Sequence, residues 1–261
     1  MFEFLDKILL LTPGYILIMV RLSGMMVTFP IFSNQIISRR IRSLLVIVIA
    51  FLISPAIAQS MPQFLSIWSL LVAAVAEFFL GAIIGFGTRV IFESFTFAGL
   101  LISRQMGLML ANVMDPSSSE QRPLLSQFWF LVMTTIFLVL NAHHIFLETM
   151  VHNFQLIPLM SGHFPPEMGK VLVLSGSTMF TLGMQYAAPG VVLLLLTDSA
   201  IGLMAKMMPQ MNIFIVALPL KIGVGLFTVI ISINIFQMLF DNFLDLLIRY
   251  ITQVIQLAGA S

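Results

Sequence analysis

From Pro62 to Pro116 the chain contains no proline, and most of the residues between are apolar. With no ring to interrupt the backbone ladder, the stretch reads as one helix running well past Gly87. That is too long for a single perpendicular crossing of about 30 Å of hydrocarbon, so it either bends near Gly85, Gly87 or Gly99 or leaves the bilayer. The same stretch carries Glu77, Arg89, Glu93 and Arg104. An ionised group at the centre of a membrane helix costs about 2.5 to 3.5 kcal/mol on insertion scales, so these side chains are expected to face protein or water. Glu77, Gly81, Gly85, Arg89 and Glu93 recur every fourth residue and form one slowly drifting stripe. Gly81 and Gly85 make a GxxxG pair that admits a second helix closely, although glycine is common enough in apolar helices to make the motif alone weak. Arg89 and Glu93 stand one turn apart and can pair. The plainer reading of this face is a satisfied packing seam rather than a transport site.

Composition places the whole chain with that stretch. Hydrophobic residues make up 59% and charged residues 9%, and the mean hydropathy is +1.07, beyond what a soluble globular domain shows. Membrane lipid is therefore an expected neighbour. A formal charge of +1 supplies no field for nucleic acid, which is set aside as a partner. The absence of cysteine excludes disulfides and thiolate chemistry. The first residues, MFEFLDK, lack the positive region of a cleaved leader, so the first apolar run is expected to remain. Nineteen methionines and 24 phenylalanines suit adaptable helix packing.

Six hydrophobic runs follow in order. Ile8 to Phe32 contains Pro13 and carries Arg21, which needs a partner. The loop SNQIISRRIRS after it holds Arg39, Arg40 and Arg42, the densest positive cluster, and reads as cytoplasmic. Ile41 to Ala58, then Trp68 to Gly87 with Trp68 as an interfacial anchor, then Leu124 to Leu140 are the next three. MDPSSSEQRP between the last two is a turn by its Asp-Pro and serine content. Val151 to Lys170, with Pro158, Pro165 and Pro166, reads as a loop. Val171 to Met208 holds Pro189 and a lone Asp198 that Lys206 or Lys221 can neutralise; Ile213 to Phe240 holds Pro219 and Lys221. Both read as long helices kinked at proline, joined by KMMPQMN and followed by an amphipathic end with Asp241, Asp245 and Arg249. With both termini outside, seven Lys and Arg lie inside and three outside.

His143, His144 and Glu148 suggest a metal, but adjacent histidines point to different sides of a helix, and capping or interfacial hydrogen bonding explains them better. His163, beside two prolines, is by default a surface histidine. No nucleophile and base stand at workable spacing, so an enzyme is not expected and no cofactor is implied. A secondary transporter should show an internal repeat with paired broken helices, and none is convincing.

Two segments carry a resemblance. GFGTRVIFESFTFAGLLISRQMGLMLANVMDP, from Gly85 to Pro116, followed by MPQMNIFIVALPLKIGVGL, from Met208 to Leu226, resembles the FliR family of flagellar export-gate proteins and its injectisome homologues. The likeness covers essentially the whole chain. Ala187 to Pro189, with Pro219 and Lys221, is similar to the two-helix protein FliQ.

The resemblance implies an all-α, integral-membrane-type protein of long, kinked helical hairpins. Residues 1–167 would be FliP-like and residues 168–261 a FliQ-like hairpin with a C-terminal tail. It implies one copy of this chain completing a helical ring with FliP and FliQ, next to FlhB and FlhA, in the bacterial inner membrane within the flagellar basal body. Unfolded flagellar subunits would be the exported partners; the equivalent injectisome subunit is the alternative. The family's pore plug maps to about residues 107–122. Met106, Gly107, Met109 and Met114 are expected to supply an adaptable seal and Asp115-Pro116 to set the turn. Gly81 and Gly85 would pack helices, and Arg21, Glu77, Arg89, Glu93, Arg104, Asp198 and Lys221 would find their mates on partner subunits.

Overall fold

The computed structural model describes residues 2–33, 37–55, 57, 66–109, 123–210 and 212–259. Among the described residues there are helices and no strands. In order they are α1 (Phe2–Thr28), α2 (Pro30–Ser33), α3 (Arg39–Ile53), α4 (Ile67–Gln105), α5 (Leu124–Val139), α6 (Ala142–Leu156), α7 (Pro166–Met207) and α8 (Ile213–Gly259).

The long proline-free stretch forms α4 as one helix of 39 residues, with no break at Gly85, Gly87 or Gly99. At 1.5 Å per residue this is about 58 Å, nearly twice the hydrocarbon thickness. Helices α7 and α8 run to 42 and 47 residues and pass through Pro189 and Pro219. Among the described residues, three helical stretches are long and apolar enough to cross a membrane: α4, α7 and Ile215–Ile233 of α8, with α5 and α6 together a possible fourth. The other expected runs fall on α1 and on α3, which has 15 residues and ends at Ile53.

Two local expectations are corrected. Arg39, Arg40 and Arg42 lie in the first turn of α3 rather than in a loop, because Ser38 caps that helix by accepting from the Ile41 N–H at 3.4 Å. The expected loop from Val151 to Lys170 shrinks to residues 157–165. Between Val151 and Pro158 there is no proline, so α6 continues to Leu156, and Pro166 starts α7 because the first helical position needs no N–H donor.

The chain divides into two compact units, residues 1–91, 141–176 and 246–261 in one and residues 92–140 and 177–245 in the other. Each draws on both halves of the sequence. In the first unit the side chains of Leu17, Leu22, Met25, Phe29, Leu80, Ile84 and Phe146 are buried together with Tyr250 from the last turns of α8. The Phe29 and Phe146 rings meet at a tilt of 30° with centroids 3.8 Å apart. The Tyr250 hydroxyl donates to the Ile83 carbonyl at 2.7 Å, over Gly87, and burial pushes its phenol well above the ordinary tyrosine range. In the second unit Phe92 meets Phe130, Phe137 and Phe243 edge-on, and Phe95 stacks on Tyr186 at 4.5 Å. Trp68 is 75% exposed.

Candidate functional site

The first unit holds a polar knot where hydrocarbon-like packing would be expected. Arg21, on α1, is 0% exposed. Its Nε donates to Glu77 Oε2 on α4, and its Nη1 donates to Asn153 Oδ1 at 3.1 Å and to the Ile157 carbonyl at 2.8 Å. Nη2 reaches the Pro158 carbonyl at 3.4 Å, and the guanidinium lies 4.7 Å from the Phe154 ring centre. The other Glu77 oxygen, Oε1, accepts from the Met160 N–H at 2.8 Å. Met160 has a positive φ of 68°, unusual for a side chain of that size, and the carboxylate holds it there. One ion pair thus fastens the loop after α6 to α1 and α4.

Close backbone approach makes the knot possible. A Cβ on Gly81 would come within 2.1 Å of the Arg21 carbonyl oxygen, and one on Gly85 within 2.5 Å of the Met25 carbonyl oxygen. The helix that Gly81 and Gly85 admit is therefore α1 of the same chain.

Of the ionised residues expected to meet partner subunits, four pair within the chain. Arg21 pairs with Glu77 inside the chain, and Lys221 of α8 pairs with Asp198 of α7, both side chains part-exposed. Nothing local in the sequence signals the first contact, since 56 residues separate Arg21 from Glu77; for Asp198, Lys221 is one of the two mates the sequence offers. Arg89 and Glu93 are half-buried and engaged, and Arg104 is exposed. His143 and His144 lie with ring centres 4.2 Å apart, and among the described residues no group of three metal-ligating side chains occurs.

The second unit holds the end of α4. The Leu108 N–H donates to the Ser103 carbonyl and the Gly107 N–H to the Arg104 carbonyl, both at 3.2 Å, and Gly107 has φ 78°. This is a Schellman cap: the helix satisfies its own last carbonyls and turns away through a left-handed glycine. A basic residue in the last turn and a glycine just beyond it were stop signals available in the sequence. Met106, expected in the seal, is instead 0% exposed, and its side chain occupies the place a Cβ on Gly225 would take. Beyond the cap, Met109 is half-buried, while Met114, Asp115 and Pro116 lie outside the described residues. Downstream, α5 fastens to the same helix: Ser126 Oγ donates to the Thr96 carbonyl at 3.0 Å, beside Gly99.

Residues 12–247 match the family model of the bacterial export proteins, family 1. The chain belongs to that family. Among its relatives, the flagellar biosynthetic protein FliR of Bacillus subtilis strain 168 is 30% identical over 98% of this chain and 100% of its own length. That of Escherichia coli K12 is 30% identical over 80% of this chain and 79% of its own. That of Caulobacter vibrioides is 28% identical over 88% and 93%. In this family member the cap at Gly107 gives a direct prediction. Gly107→Ala should destabilise the protein by about 1 kcal/mol, because a Cβ is strained at φ 78°. A melting temperature unchanged from the parent in detergent would show that the helix end has another conformation.

Proposed function

We propose that this chain is a structural subunit of the flagellar export gate, completing with FliP and FliQ the channel through which unfolded flagellar proteins leave the cell. In this reading it is present in one copy in the inner membrane, in the basal body beside FlhB and FlhA, with a FliP-like part to about residue 167 and a FliQ-like hairpin after it. The names of the relatives favour the flagellar branch over a virulence injectisome.

One observation carries the proposal. The capped end of α4 lies beside Gly190 and Gly225, near the middle of α7 and of the apolar stretch Ile215–Ile233. From that depth the sequence continues with Asp115, Ser117, Glu120 and Arg122. Charged side chains are costly against lipid tails and are found where they meet protein or a water-filled passage. A channel wall supplies that environment. The plug reading assigns the segment from Gly107 to Arg122, with its methionines, to closing the passage.

Deleting residues 107–120 in the assembled complex should leave co-purification with FliP and FliQ intact and make the membrane permeable to small ions. Unchanged ion permeability in a complex shown to assemble would refute the plug. Co-purification with a several-fold excess of the FliP-like partner is the stoichiometry the single-copy reading requires.

A further inference from the structure

We infer that the contact between Met106 and Gly225 is a positioning contact of the export channel: a side-chain knob in a glycine socket that sets where the chain departs from α4 and thereby how tightly the passage is sealed. The inference rests on the gate reading above.

Several features point the same way. Met106 is completely buried although it sits at the extreme end of a helix, where side chains are ordinarily half-solvated. A Cβ on Gly225 would stand 2.4 Å from its Sδ, 2.5 Å from its Cγ and 2.6 Å from its Cε. Three consecutive side-chain atoms thus lie across the bare backbone of α8. The far end of a methionine ordinarily yields easily, but its Cγ moves only with χ1, and its backbone is held by the two hydrogen bonds of the Schellman cap. On the neighbouring side, a Cβ on Gly190 of α7 would already be 3.2 Å from Ile102 Cδ1, one turn earlier on α4. The Thr228 hydroxyl donates to the Gly225 carbonyl at 2.7 Å, which turns that polar group inward within α8. Methionine suits such a socket because its thioether fills an irregular slot without branching.

The second glycine of the Gly-Val-Gly triplet provides the contrast. Gly223 would meet nothing within 4 Å if it carried a Cβ. Of the two, Gly225 alone is required by a neighbour in this chain.

The test is a bulk exchange across the socket, made in the assembled export complex in cells. Gly225→Val should leave the complex assembled and raise the ion leak several-fold, and Met106→Ala should do so more mildly. Combining the two restores roughly the original bulk and should return the leak toward the parent level. A stability role alone would not give a leak that moves while melting temperature and co-purification stay constant. Gly223→Val is the control and should stay tight. A tight Gly225→Val, a leak in Gly223→Val of the same size, or a double variant no better than the valine single overturns the inference. If Gly225→Val fails to assemble, Gly225→Ala and Met106→Ala carry the same comparison. The deletion of residues 107–120 separates the two readings. If it leaks and the socket variants do not, the positioning contact is wrong; if it does not leak, the plug reading on which the contact rests fails.

Discussion

Replacing Glu77 with alanine should cost about 3 to 5 kcal/mol, the loss seen when one member of a buried ion pair is removed, and should leave little folded chain. The whole stability of a domain is about 5 to 15 kcal/mol, so the change takes a large share of it. The cause is what remains behind: the Arg21 guanidinium, 0% exposed, loses its counter-charge, and the Met160 N–H loses its acceptor while that residue still has φ 68°. Glu77→Gln keeps the side-chain volume and an acceptor for one of the two donors, and should be milder than alanine. The apolar pair Arg21→Met with Glu77→Leu should recover only part of the loss, because the Ile157 carbonyl and Asn153 Oδ1 both depend on Arg21 Nη1. The checks are the yield of folded protein in detergent and its melting temperature. A Glu77→Ala protein that melts within about 1 kcal/mol of the parent would show that the carboxylate does not balance Arg21.

Gly81→Leu should be as damaging by a different route. Its Cβ would stand 2.1 Å from the Arg21 carbonyl oxygen and 3.0 Å from the carbonyl carbon, both backbone atoms that no rotamer change can remove. Overpacking usually costs about 1 to 3 kcal/mol, and a backbone-on-backbone clash that pushes α1 from α4 belongs at the upper end or beyond. Because the obstructed carbonyl belongs to Arg21, Gly81→Leu and Glu77→Ala should be non-additive when combined. Gly169→Leu, in the same unit with nothing within 4 Å of its would-be Cβ, should leave the stability of the isolated chain near the parent value. Equal melting temperatures for the Gly81 and Gly169 variants would remove the close crossing of α1 and α4.

The two predictions also mark the limit of what the stripe Glu77, Gly81, Gly85, Arg89, Glu93 could say. Its spacing is visible, and so is the demand that a charge in an apolar helix find a mate. Which mate is not visible, because Arg21 reaches Glu77 only when α1 crosses α4 at its glycines. The end of α4 shows a similar limit. Gly107 after Arg104 carries a stop signal, whereas the lack of proline before Pro116 by itself lets a helix run on. Met106 reads as part of an adaptable seal through the family resemblance, and only the bare backbone of Gly225, 119 positions later in the numbering, makes it a buried knob.

The amino-acid order by itself determined the helices, their great length and their membrane character, since hydropathy and the spacing of proline act along the chain over a few turns. It also carried the two segments on which the resemblance to the family rests. The tertiary structure alone decided which charges neutralise each other, which glycines are sockets, and that residues from both halves share each compact unit. Those outcomes depend on contacts between residues distant in sequence, and the energy of such a contact exists only after the helices have met.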